Sequence, residues 1–145
     1  MKMIEFNKVF VDTAPFIYLI EKSDLYLQTT SDFFNYCLDN DKIIITSVVT
    51  AEEYSVMPYR NNNTNLVADF HRLISATDTE VLCIDEKTAD KAAQIRAKYK
   101  SFKAMDSLQL ASAVINGADL FLTNDKQLKQ FDEITVLTVG DLQTS

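Results

Sequence analysis

The stretch Phe102-Lys103-Ala104-Met105-Asp106-Ser107-Leu108-Gln109-Leu110-Ala111-Ser112-Ala113-Val114, followed at once by Ala118-Asp119-Leu120-Phe121-Leu122-Thr123-Asn124-Asp125, reads as a small-residue helix and then a short apolar strand. The helix carries Asp106 in its first turn, and the strand ends at Asp125. In a parallel α/β domain a helix that runs back against the strands starts at their carboxyl edge. The two acids are therefore expected together at that edge, where open sheets place their ligands.

The rest of the chain supports such a sheet. Lys8-Val9-Phe10-Val11-Asp12 is an apolar run ending in an acid, and Thr13-Ala14-Pro15 looks like a helix start with proline in its first turn. Leu25 to Leu38 is an amphipathic helix with Leu27, Phe34 and Leu38 as core candidates. Ile43-Ile44-Ile45-Thr46 is a β-branched run suited to a buried central strand, and Ser47 can cap the helix that follows. Pro58 is expected to close that helix, and Arg60 to Asn65 reads as a polar loop. Helical spacing resumes from Leu66 to Ile74. Glu80 to Ile84 is a strand, Asp85 a cap for a helix to about Tyr99, and Ile134 to Leu137 a last strand. Strands alternating with helices predict a mainly parallel β-sheet sandwiched by α-helices, in one domain over residues 1–145.

The composition narrows the function. Apolar residues make up 47% of the 145, with only two glycines and two prolines, which suits one compact domain. No apolar run is long enough to span a membrane, and no apolar leader is evident, so cytoplasmic residence is the expectation. Cys37 and Cys83 lack metal-ligand spacing and are expected to be buried free thiols, with His71 on a helix surface. A net charge of −7 argues against a broad nonspecific nucleic-acid binder. It leaves room for a nuclease, because bound divalent cations invert the sign of a carboxylate site. Lys87, Lys91 and Lys98 share one helix face and read equally as a solvated face or as a phosphate-contacting stripe.

Glu52 and Glu53 are adjacent on a helix and point about 100° apart, so only one can face a given site. Spacing groups Glu53 with Val49 and Val56, which makes it the better candidate. Asp12, Glu53, Asp106 and Asp125 then form an oxygen-only set suited to Mg²⁺ or Mn²⁺. Taken singly, each reads as a cap or turn residue. Taken together, they imply phosphodiester hydrolysis assisted by a divalent cation.

At these residues the chain resembles the PIN-domain nucleases, most closely the VapC-type toxins. The matching pieces are Val11-Asp12-Thr13, Thr46-Ser47-Val48-Val49-Thr50-Ala51-Glu52-Glu53, Asp106 to Ala113, and Leu122-Thr123-Asn124-Asp125, in order along almost the whole chain. The resemblance implies a PIN-like fold and Mg²⁺- or Mn²⁺-dependent endoribonuclease activity on RNA. It places Asp12, Glu53, Asp106 and Asp125 in the four acidic positions, with Thr123 and Asn124 in support. Dimerisation is also implied, as is neutralisation by a small antitoxin, for which the acidic charge favours a basic amphipathic binding segment. Many relatives have a glycine soon after the helical glutamate, where this chain has Val56-Met57-Pro58. PIN domains also serve in RNA processing, and some are inactive; a catalytically silent α/β binding module is a further alternative. Haloacid-dehalogenase-like phosphatases also begin with a strand ending in aspartate, but they need a second aspartate where this chain has Ala14.

Overall fold

Five parallel strands lie in the order β3-β2-β1-β4-β5 in the computed structural model, which describes residues 4–143. They are β1 (Lys8–Val11), β2 (Ile43–Ser47), β3 (Glu80–Leu82), β4 (Leu120–Thr123) and β5 (Thr135–Thr138). The helices are α1 (Thr13–Ile20), α2 (Leu27–Asp39), α3 (Val48–Arg60), α4 (Thr64–Ala76), α5 (Glu86–Lys98), α6 (Ala104–Ile115) and α7 (Val139–Leu142), with a short 3₁₀ turn at Lys126–Gln130. The expected parallel α/β sandwich is thus the fold. Among the described residues no helix is long and apolar enough to cross a membrane.

Side-chain alternation along the central strands builds two cores. Val9 and Val11 of β1, with Leu120 and Leu122 of β4, pack against Phe16, Phe33, Tyr54 and Phe70. Phe10 and Phe121 point to the other face, among Ile95, Leu110 and Ala113. These two phenylalanines are paired in register and stack with centroids 5.2 Å apart. Helices α1 to α4 thus supply one layer, and α5 and α6 the other. This division is what right-handed crossovers require, since β1→β2→β3 moves one way along the sheet and β3→β4 moves back.

Local chemistry sets the element ends. The Ser47 hydroxyl caps α3 by accepting from Val49 N–H, and the Asp85 carboxylate caps α5 by accepting from Thr88 N–H. Helix α6 stops at Asn116-Gly117, where Gly117 adopts φ +75°, a left-handed conformation that glycine enters without strain.

Several details differ from the sequence reading. Helix α3 continues through Pro58 to Arg60, because a proline in the last turns forfeits one hydrogen bond while its buried ring packs. Helix α2 starts at Leu27, not Leu25, and its buried face is Thr30, Phe33, Phe34 and Cys37; Leu25 and Leu38 are 66% and 42% exposed. Ile43, at the start of β2, is 51% exposed. Cys37 is buried and free, its thiol pushed up to about 12 by burial, whereas Cys83 is exposed because the short edge strand β3 ends before it. His71 is exposed, as expected. Two members of the lysine stripe are neutralised: Lys91 Nζ lies 2.7 Å from Glu133, and Lys98 Nζ lies 3.7 Å from Asp132. An unpaired phosphate track along α5 is therefore not what that face presents.

Candidate active site

The chain leaves β1 toward β2 on one side of the sheet, while β4 leads to β5 on the other. Strand order thus reverses between β1 and β4, and the crevice beyond their carboxyl ends is where open α/β sheets bind ligands. Asp12 directly follows β1, and Asp125 stands two residues beyond the end of β4. Asp106 is in the first turn of α6, and Glu53 lies in the second turn of α3. All four line one open cleft of about 470 Å³, together with Tyr18, Met105, Gln109, Thr123, Asn124 and Lys126. Glu52 is absent from the lining, in keeping with the helical spacing.

Each acid is also held locally, so the capping role and the cleft-facing role coexist. Asp12 Oδ1 accepts from Thr13 N–H at 2.9 Å and from the Gln109 amide at 3.2 Å, and Oδ2 accepts from the Thr123 hydroxyl at 2.8 Å. That hydroxyl in turn accepts from Asp125 N–H at 3.1 Å, which ties two of the acids through one oxygen. Asp125 accepts from Gln127 N–H, Asp106 from Lys103 N–H, and Glu53 from the Thr13 hydroxyl at 2.7 Å. Asn124 and Tyr18 stand together in the cleft wall.

The electrostatics follow from this crowding. Burial raises the Asp12 carboxyl above its ordinary value despite three hydrogen bonds, and the Asp106 charge adds to the rise. Glu53 is raised as well, by burial first, with the Thr13 bond opposing and the charges of Asp12, Glu52 and Asp106 adding. The donor set is all oxygen and mutually repelling, which a hard divalent cation would relieve. The acids surround the cleft without converging: among the described residues no three acidic, histidine or cysteine side chains gather into a ready-made metal group.

Sequence reasoning placed Thr123 beneath the acids and missed Gln109 beside it. Gln109 is 1% exposed on α6, and its amide also bonds Thr50 at 2.7 Å and Ser47. The available signal was a polar residue three positions after Asp106, on the same helix face, inside an otherwise buried run.

The geometry carries one expectation directly. Glu53→Gln should impair whatever the cleft does far more than Glu52→Gln, because only Glu53 faces the other acids. Parallel assays and divalent-ion titrations of the two variants check this, and equal losses would assign both carboxylates to the site.

A parallel α/β domain with a carboxylate-lined cleft at its switch point is the class that fold and site define. The chain belongs to the PIN domain family, whose model matches residues 9–134. No curated protein matches it significantly by sequence. Solved structures do match by fold. A VapBC2 complex from Rickettsia felis bound to a promoter DNA fragment aligns with a TM-score of 0.76 at 14% identity, covering 90% of this chain and 98% of that one. FitAB bound to DNA aligns with a TM-score of 0.73 at 17% identity, covering 94% and 97%. VapC20 of Mycobacterium tuberculosis, a sarcin-ricin loop cleaving toxin, aligns with a TM-score of 0.63 at 17% identity, covering 88% and 98%.

Proposed function

We propose that the chain is a Mg²⁺- or Mn²⁺-dependent endoribonuclease and the toxin of a type II toxin–antitoxin pair. The observation that carries this reading is the meeting of Asp12, Glu53, Asp106 and Asp125 on one cleft, with Asp12 and Glu53 held above their ordinary carboxyl range. The cation would be held by these carboxylates and would supply charge neutralisation and activation of the attacking water during phosphodiester hydrolysis. Thr13, Thr123 and Gln109 orient the carboxylates, and Lys126 at the cleft edge is placed to meet a phosphate of the RNA.

The relatives of similar fold that are toxin–antitoxin complexes support the toxin role. The partners implied are an RNA substrate, a second copy of the chain and a small antitoxin. A groove lined by Ile17, Tyr54, Met57, Pro58 and Leu66, with Glu21 and Glu53 among its lining, adjoins the cleft and matches a basic amphipathic segment. The test is cleavage of RNA by purified protein with Mg²⁺ or Mn²⁺ and with EDTA, repeated with the protein from the neighbouring reading frame at low and high salt. Cleavage that needs the cation, and inhibition that weakens with salt and with arginine- or lysine-to-alanine changes in the inhibitor, is the expected result. Full activity in EDTA rejects the metal nuclease; a neighbour that neither binds nor inhibits rejects the toxin role alone.

A further inference from the structure

We propose that Gln109 is a positioning residue: its amide fixes the Asp12 carboxylate for cation binding, and it locks the helix bearing Asp106 to the strand and helix bearing Asp12 and Glu53. The proposal rests on the metal-dependent reading above.

The orientation of the amide is determined by its partners. Thr46 Oγ1 lies 2.7 Å from the Val11 carbonyl, which can only accept, so the single Thr46 proton goes there. Thr50 Oγ1 lies 2.8 Å from Thr46 Oγ1 and accepts from Gln109 Nε2 at 2.7 Å. On the other side, Ser47 Oγ accepts from Val49 N–H and gives its proton to Gln109 Oε1. These contacts link Gln109 through Thr50 and Thr46 to the carbonyl of Val11, the residue immediately before Asp12. Reversing the amide would set oxygen against the Asp12 carboxylate and NH₂ against a hydroxyl whose proton already points at it. The second Nε2 proton is thereby committed to Asp12 Oδ1 at 3.2 Å.

This commitment defines what Asp12 has left to offer. A carboxylate has about four acceptor sites. Thr13 N–H, Gln109 and Thr123 occupy three of them and leave capacity for a ligand in the cleft. Gln109 also joins α6 to two places far from it in sequence, the end of β1 and the β2–α3 junction: it lies 97 residues from Asp12, 62 from Ser47 and 59 from Thr50. With Asp106 one turn away on the same face of α6, a shift of Gln109 moves one acid relative to the others.

The experiment titrates Mn²⁺ into RNA-free protein by calorimetry, for wild type, Gln109→Met and Thr77→Val. Thr77→Val is the control: it cuts a buried hydroxyl network, Thr77 to Thr79 at 2.7 Å, at the amino edge of the sheet, away from the cleft. Gln109→Met is expected to weaken Mn²⁺ binding about 10–100-fold, the usual effect of losing a group that orients a ligating carboxylate. In RNA cleavage it should lower kcat at fixed Mn²⁺ with KM for RNA unchanged. Thr77→Val should lower the denaturation midpoint and leave Mn²⁺ binding unchanged. Unaltered Mn²⁺ binding in Gln109→Met, or equal weakening in both variants, overturns the proposal. Should Gln109→Met fail to fold, Gln109→Asn, which withdraws the amide by one methylene, is judged by the same criteria. Wild-type protein that binds no Mn²⁺ refutes the metal-dependent reading and this proposal with it, whereas wild-type binding without an effect at Gln109 refutes this proposal only.

Discussion

Replacing Asp12 with asparagine is expected to reduce RNA cleavage by about a hundredfold or more while making the cation-free protein more stable at neutral pH. The loss of activity follows from position: Asp12 is partly buried at the end of β1 with its carboxylate held by Thr13, Gln109 and Thr123, and asparagine keeps the volume while discarding the charge a cation needs. The gain in stability follows from the raised carboxyl value. A carboxylate raised in the folded state is disfavoured there when ionised. Its folding stability therefore falls as pH climbs from the ordinary aspartate range through the raised value, and it stays lost above that. Asparagine has no charge to disfavour. The difference in Tm between variant and wild type in EDTA should be largest at neutral pH and should close as pH falls through the raised value. Asp106→Asn and Asp125→Asn should likewise abolish cleavage with the fold intact. Full cleavage by any two of the three variants contradicts the four-acid site, and a pH-independent Tm difference contradicts the account of Asp12.

The second large effect is on the fold. Phe121→Ala should destabilise the protein by about 3–5 kcal/mol, a large share of the roughly 5–15 kcal/mol that holds a domain together. Phe121 is fully buried, stacked face to face on Phe10, at the centre of the core beneath α5 and α6. Leu38→Ala, by contrast, should cost only about 1 kcal/mol, because Leu38 is 42% exposed on α2 and a part-covered leucine loses a fraction of what a buried one does. Urea denaturation of the two variants distinguishes them, and comparable losses would show that the buried face of α2 is misassigned.

That pair of residues also shows what the sequence could reveal. Phe121 lies at the middle of the apolar run Leu120-Phe121-Leu122, between Asp119 and Thr123, so its strand and burial are readable without coordinates. Leu38 lies in a helix where apolar residues exceed what one face can bury, and Phe33, Phe34 and Cys37 take the inward positions. Helical period alone does not choose between faces that crowded. That the four acids share one cleft was legible because each falls at an element end or one helical turn from an apolar neighbour, where even a rough secondary-structure reading places it. Gln109 was not, because its meaning lies in partners just after β1, on β2 and on α3 that only the packed structure brings within reach. Pro58 misled for a similar reason: the local rule ends a helix there, and packing of the buried ring carries α3 two residues further.

The order of the strands has a consequence for the life of the chain during synthesis. β1 is made first, yet it is flanked in the sheet by β2 and β4, and Asp12 is held by Gln109 and Thr123, 97 and 111 residues downstream. Contacts of that span form late, after most of the loop-closing entropy has been overcome. A nascent chain not yet extended to Asp106 carries Asp12 and Glu53 without the acids and hydroxyl that complete the cleft. Under the proposed ribonuclease reading, cleavage would therefore have to wait until Asp125 has been made and β4 has joined the sheet beside β1.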